Sequence, residues 1–295
     1  MFDLHSLVSK LGPNSRRLLH GRGGLFEGLE HVAIDWFSPV ILVTFYAEKD
    51  NDDLLIKSLL EFAQSLESIQ AIVTQKRYLP KAPKSVIYGT LPEQTFAVES
   101  DLRYHLTLER NQNHGFFLDM NPGRTWIREQ TSGKRVLNLF AYTCSLSVAA
   151  LAGGAESVVN LDMAKGALAT GRQNHQLNFE KAIYQRASYL PHDLFKSWGR
   201  LVREAPYDII VIDPPSNQGS SFYAEKDYPK ILRRLPELLT ADSQILACLN
   251  APHLDESFLT NLFSNYQNQG RLPCAEGFED KNPAATLKSL CFTPA

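Results

Sequence analysis

Glycine is missing where a phosphate-binding turn needs it: the stretch Ala141–Tyr142–Thr143–Cys144–Ser145, between two apolar runs, contains none. A pyrophosphate requires close backbone approach through glycine, so NAD and FAD are excluded as ligands of the surrounding unit. Long apolar runs are missing too. The longest, such as Val40 to Phe45, are far too short to span a bilayer, and Met1 to Ser15 lacks the apolar core of a signal peptide. The four cysteines, Cys144, Cys248, Cys274 and Cys291, show no CxxC pairing, which argues against a zinc site and a disulfide framework. Positive charge is not in surplus: 30 Lys and Arg face 32 Asp and Glu, a formal net charge of −2, so a nucleic acid must be held by local patches. These absences predict a cytoplasmic protein with no membrane segment and no metal. With 295 residues, 44% of them hydrophobic, the chain can build one large or two smaller domains around a sizeable core.

What is present centres on Arg135 to Asp162. Val136, Leu137, Leu139 and Phe140 form a near-continuous apolar run, suited to a parallel strand covered on both faces. Thr143 and Ser145 are expected to cap the helix Leu146 to Leu151, which Gly153 and Gly154 end. Ser157 to Leu161 reads as a second buried strand that delivers Asp162 to its carboxyl end, where open α/β sheets bind ligands. An acid about twenty residues after the turn suits ribose hydroxyls. A nucleoside without phosphates fits, and S-adenosylmethionine is one.

Upstream, residues 1–92 are expected to form a small α+β domain. Arg16, Arg17, His20 and Arg22 beside Gly21, Gly23 and Gly24 read as a mobile basic loop able to lie on phosphates. Val32 to Phe37, Val40 to Ala47, a helix from Leu54 to Leu66, Ala71 to Thr74 and Ser85 to Tyr88 give the order ββαββ. The loop Gln75 to Lys84 interleaves Lys76, Arg77, Lys81 and Lys84 with Tyr78 and two prolines, a composition suited to an RNA strand or to a plain exposed loop. Residues 93–127 then form a β-hairpin around Ser100–Asp101 and a connection, Asn111 to Ile127, that is a candidate lid over the cofactor. Residues 128–295 make the cofactor-binding domain.

Beyond Asp162 the α/β pattern continues with a helix over Ala164 to Leu177, then Tyr189–Leu190, His192–Asp193 and Phe195. Asp193 is placed for an adenine amino group, with Phe195 to cover the ring. The strand Tyr207 to Asp213 runs into Pro214–Pro215–Ser216. Two prolines fix an extended backbone without N–H donors and leave carbonyls free to accept, as holding a planar base beside a methyl donor requires. A sulfonium methyl needs mainly alignment and water exclusion rather than a metal.

These stretches, VLNLFAYTCSLSVAALAGGA, NLD, RQNHQLN, HDLF, IDPPS and EKDYPKILRRLPELL together with NHGFFLDM, resemble class I S-adenosylmethionine-dependent methyltransferases of the 23S ribosomal RNA group, which make 5-methylcytidine or 7-methylguanosine. The resemblance implies a Rossmann-like seven-stranded α/β sheet with the smaller N-terminal α+β domain, and ribosomal RNA as partner. It places Phe140, Ala141, Tyr142 and Thr143 near the methionine moiety, Asp162 with Met163 at the ribose, His192 and Asp193 at the adenine, and Asp213, Pro214 and Pro215 at the target base. Cys144 stands where relatives usually have glycine, and the aromatic residue expected after Asp–Pro–Pro is absent at Asn217, with Phe222 as the substitute. In the strand Gln244 to Asn250 the nucleophile position of 5-methylcytidine enzymes falls on Leu249, and alternation turns Cys248 away. Asn250 would then share the face with Cys248 and joins the catalytic set as an amide suited to hydrogen bonding guanine or adenine, and a ring or exocyclic nitrogen is favoured over cytosine C5. The alternatives are a catalytically inactive cofactor-binding protein acting in RNA binding or ribosome assembly, and a methyltransferase for a non-RNA substrate. The segment Leu287 to Phe292 is expected to close the sheet at its edge.

Overall fold

The structure, a computed structural model, describes residues 4–215 and 222–295. Chain contacts divide it into two compact units: Met1–Leu118 with Ala275–Asn282, and Asp119–Cys274 with Pro283–Ala295.

The smaller unit contains strands β1 (Arg16–His20), β2 (Val32–Phe37), β3 (Val40–Phe45), β4 (Ala71–Lys76) and β5 (Lys84–Gly89), hydrogen-bonded in that order. Helix α1 (Asp52–Gln64) makes the crossover between the parallel pair β3 and β4, and the other pairings are antiparallel. Strands β6 (Thr95–Glu99) and β7 (Leu102–Leu106) form the expected hairpin, with Ser100 in the left-handed region its turn requires (φ 57°). β1 corrects the reading of a mobile basic loop. Arg17 pairs with the buried Asp35 and lies 4.3 Å from the Phe278 ring centroid, so its cation is consumed in fixing the strand.

In the larger unit, α2 (Asn121–Gln130) precedes β8 (Arg135–Leu139), α3 (Ser145–Ala152), β9 (Ser157–Leu161), α4 (Lys165–Asn178), α5 (Lys181–Tyr184), β10 (Ala187–Leu190) and α6 (Leu194–Glu204). Then follow β11 (Tyr207–Ile212), α7 (Ala224–Arg234), β12 (Leu239–Leu249), α8 (Glu256–Leu262), β13 (Tyr266–Arg271) and β14 (Lys288–Pro294). The seven-stranded sheet runs β10-β9-β8-β11-β12-β14-β13, parallel from β10 to β12, with β14 antiparallel to both neighbours. The expected fold class is therefore the observed one. β14 is not the edge: the polar strand β13, which carries little hydrophobic pattern, lies outside it.

The parallel strands are apolar on both faces because both are covered. Leu137, Leu139, Ile210 and Ile212 pack with Trp198, Leu201, Tyr228 and Leu259 from α6, α7 and α8. Val136, Val158, Ile209, Val211, Leu246 and Cys248 pack on the other face with Ile127, Ala149 and Ala150. Helix α2 belongs to this second layer. Its Arg124 and Ile127 are buried and its Gly123 sits against Met120 and Leu246, so it is a covering layer of the sheet and not a lid.

Candidate active site at the carboxyl ends of the parallel strands

The registers align the predicted site. Leu139 pairs with Leu161 and Ile212, and Leu161 with Leu190, so these four residues form one row across β10, β9, β8 and β11. The next residue on each strand therefore begins the site: Phe140, Asp162, Pro191 and Asp213, at an interstrand spacing of about 4.8 Å. Sequence order reverses between β8 and β11, which opens the ligand crevice of a doubly wound sheet at this point. Ile212 pairs with Ala247, which places Cys248 level with Asp213 and Asn250 two residues beyond.

The turn after β8 is unusual. Phe140, Tyr142 and Cys144 all have positive φ (59°, 47° and 61°), and none is glycine. Each such residue costs on the order of 1 kcal/mol. Asp162 fastens the turn: its Oδ2 accepts from Tyr142 N at 2.8 Å and its Oδ1 from Ala164 N at 2.7 Å. Ala141 N donates to Leu161 O at 3.0 Å and Cys144 N to Ala141 O at 2.7 Å. The N-cap position of α3 falls on neither expected residue. Cys144 is the N-cap of α3, left-handed and without a side-chain cap bond, and Thr143 is buried.

Met163, just past β9, is 59% exposed and Phe195, in the first turn of α6, is 37% exposed, and such exposed apolar side chains are suited to covering a flat ring. His192 is exposed, and Asp193 caps α6 by accepting from Lys196 N at 3.0 Å. Asp162 and Asp193 both retain lone pairs beyond these bonds, as ribose and adenine donors require. The donor set thus fits a phosphate-free nucleoside cofactor, and the glycine-free turn does not fit a pyrophosphate.

On the other side of the crevice, Asp213 is partly buried. Burial first, then the like charge of Asp119, push its pKa up to about 7 against the opposing pull of Arg124. Pro214 is buried and Pro215 partly so; Ser216 and Asn217 lie outside the described residues. Phe222 does not replace a base-facing aromatic. It is 2% exposed, edge-on to Phe140 (5.1 Å) and Tyr228 (5.9 Å), and forms the floor beneath the turn. Cys248 is fully buried with Sγ 3.5 Å from Ser289 Oγ, and burial, then Asp213, push its thiol well above the ordinary range. Leu249 packs on the opposite face, and Asn250 is exposed just past the strand. The expectation that Asn250 shares a face with Cys248 therefore fails in one respect: the strand ends at Leu249, and alternation no longer governs Asn250.

Lys288 was not legible as part of this region. It is buried opposite Leu249, and its Nζ donates to Ala251 O (3.1 Å) and Ala284 O (2.6 Å), fixing the loop that carries Asn250. A lysine opening the apolar run Leu290 to Phe292 was the available signal.

The basic residues of the smaller unit are only partly available. Lys84 Nζ donates to Thr107 O and Arg110 O (3.2 Å each), and its pKa falls to about 8 through burial and the nearby Arg77. Arg22 and Arg77 lie over Tyr46, 4.4 and 5.7 Å from its ring centroid. Tyr78 packs on the local core, whereas Lys76 and Lys81 are exposed. Among the described residues no helix is long and apolar enough to cross a membrane, and no group of three His, Cys, Asp or Glu is placed to hold a metal.

Ribosomal RNA large subunit methyltransferase I of Aeromonas hydrophila is 31% identical over 221 residues, covering 71% of this chain and 53% of that protein. The chain thus spans about half the length of this curated relative. A structure assigned as an S-adenosylmethionine-dependent methyltransferase from Streptococcus mutans matches at 26% identity and TM-score 0.83, covering 98% of this chain and 77% of that one. A methyltransferase structure complexed with S-adenosylhomocysteine matches at 25% identity with the same score and coverage. The model of the S-adenosylmethionine-dependent methyltransferase family spans residues 16–293, which takes in the turn, the row of acids and the Asp–Pro–Pro exit, and the chain belongs to that family.

Proposed function

We propose that this chain methylates a base of ribosomal RNA, at a ring or exocyclic nitrogen, using S-adenosylmethionine. The observation that carries the reading is Asp213–Pro214–Pro215 at the strand end directly beside the turn-bearing strand, in the same row as Asp162. When bound, the cofactor supplies a methyl on a sulfonium that is already a good leaving group. The protein's part is to hold the methionine end against Phe140–Thr143, the ribose at Asp162 and the adenine between Met163, His192, Asp193 and Phe195. Asp213 accepts a base N–H, and the proline carbonyls, which have no competing N–H, align the base in plane. A carboxyl whose pKa is pushed up to about 7 is matched to the proton that an exocyclic amine or an N–H ring nitrogen loses as the methyl arrives, whereas a ring nitrogen without a proton needs only the alignment.

Methylation at pyrimidine C5 needs a thiolate at C6. Cys248 is sealed beneath the site with a raised pKa, Cys144 is buried in the turn, and Cys274 follows β13, two strands from β12. Nitrogen is therefore the favoured acceptor. Exposed Lys76 and Lys81 with Arg22 and Arg77 of the smaller unit supply phosphate contacts, and the enzyme works in the cytoplasm, where ribosomal RNA is. Transfer of labelled methyl to total RNA, followed by digestion to nucleosides, tests this. A labelled purine with nitrogen methylation is expected. Labelled 5-methylcytidine overturns the nitrogen assignment, label confined to protein or small molecules overturns the RNA assignment, and cofactor binding without transfer favours the inactive binding protein.

A further inference from the structure

Three of the five residues from Phe140 to Cys144 adopt the left-handed backbone without being glycine. Such a backbone persists only where its surroundings impose it. Part of that surrounding is α4. Asn174, fully buried, donates Nδ2–H to Thr143 O at 3.0 Å, the carbonyl between left-handed Tyr142 and left-handed Cys144. One helical turn earlier on the same face, Gly171 lies so close to the turn that a Cβ there would overlap Cys144 Sγ and stand 3.0 Å from Cys144 Cβ.

The register of α4 is itself fixed. His175 Nδ1 bonds Gly171 O at 2.7 Å, and its Nε2 lies 2.8 Å from Ser147 Oγ on α3. Ser147 Oγ accepts from Asn160 Nδ2 of β9 at 3.0 Å, and Asn160 Oδ1 accepts from Asn138 Nδ2 of β8 at 3.0 Å. His175 is fully buried and its pKa is lowered to about 4, chiefly by that burial, so the chain runs through a neutral imidazole across the physiological range. Helix α4 is thereby tied to α3, β9 and β8, and Asn174 and Gly171 transmit its position to the turn.

We propose that Asn174 and Gly171 are positioning residues for the methyl donor, with α4 acting as the template that holds a glycine-free turn in the shape that binds the cofactor. The missing glycine and the present one are then a single device: Cys144 fills the space that Gly171 leaves, and the pair locks turn to helix. The proposal rests on the reading of this turn as the cofactor cradle.

The test uses the full chain and measures binding of S-adenosylmethionine and S-adenosylhomocysteine by calorimetry, with thermal unfolding recorded alongside. Asn174→Ala is expected to weaken binding about tenfold or more, beyond what any change in unfolding temperature accounts for. Gly171→Ala is expected to weaken binding similarly by driving Cβ into Cys144. Adding Cys144→Gly, which removes the two nearest obstructing atoms, leaves Thr143 C at 3.3 Å and suits φ 61°, should return Gly171→Ala to within about threefold of wild type, because contacting sites couple. The proposal is overturned if Asn174→Ala and Gly171→Ala fold and bind as wild type, or if Gly171→Ala with Cys144→Gly binds no better than Gly171→Ala. Should Asn174→Ala fail to fold, the Gly171 and Cys144 pair decides alone. Wild-type protein that binds neither ligand overturns the cradle reading itself, whatever the variants do.

Discussion

At the ends of β8 and β9, the Phe140–Cys144 turn is held from three directions, by Asp162, by Leu161 O and by Asn174. At the ends of β11 and β12, Asp213 shares a confined space with Asp119, Arg124 and Cys248, and burial first, then the like charge of Asp119, raises its pKa. The first half of the site is over-determined in shape, and the second is tuned in protonation. The difference follows from the tasks. A cofactor common to a family demands one rigid cradle, whereas an acceptor base demands a proton acceptor poised for the reaction.

Substitutions can break this comparison in order of effect. Asp213→Ala should lower methyl transfer by about 100-fold or more while leaving cofactor affinity within about threefold, the scale of losing a key site electrostatic group. Parallel loss of binding and transfer, measured by calorimetry and labelled transfer, means the two halves are not separable. Asp162→Ala should do the reverse and weaken S-adenosylmethionine binding by about 30-fold, since it removes the proposed ribose acceptor and the anchor of Tyr142 N together. If affinity held, the turn would be maintained without its carboxylate.

The pH dependence sharpens the second half. Asp213 keeps its proton up to about pH 7 in the folded chain, whereas the unfolded chain releases it near the ordinary value of 3.8. The folded state therefore holds the extra proton in that window. Stability should decline as pH rises from about 4 to 7, with a slope of at most about 1.4 kcal/mol per pH unit, the value for one proton. Transfer should rise about tenfold between pH 6 and 8 as the carboxylate forms. Denaturant unfolding and rate profiles of Asp213→Asn should lose both trends together; a wild-type pH profile surviving in that variant assigns the titration elsewhere. The smallest expected effect is Cys248→Ser, with transfer within about twofold of wild type and a stability cost of about 1 kcal/mol for a hydroxyl in an apolar layer. Severe loss of turnover in a folded protein would restore the thiol as nucleophile.

Much of the site was legible because strand ends are legible. The apolar runs ending at Leu139, Leu161 and Ile212 mark where side chains leave the sheet, and Asp162 and Asp213 follow directly. The smaller unit was read less well. Arg16–His20 carries little apolar alternation and sits beside glycines, and its pairing with β2, with Asp35 and Phe278 holding Arg17, makes it a strand. The polar β13 was invisible for the same reason. The connection Asn111 to Ile127 reads as a lid from its position ahead of β8, and the burial of Gly123, Arg124 and Ile127 that makes α2 a covering layer depends on contacts that no local pattern encodes. Backbone hand was equally hidden: Cys144 looked like a departure from glycine, and only Gly171 across the fold explains how it is housed.

The eight residues Ala275–Asn282, lying between β13 and β14, count with the smaller unit, where Lys281 N donates to Gly23 O at 2.8 Å and Phe278 stacks with Arg17. Neither unit is thus a single stretch of gene. One recombination event cannot transplant the smaller unit intact onto another catalytic core, nor strip it away cleanly, because part of it is written inside the catalytic reading frame. Lineages carrying this arrangement should inherit both units as one heritable block, and shuffling of accessory modules should occur outside it.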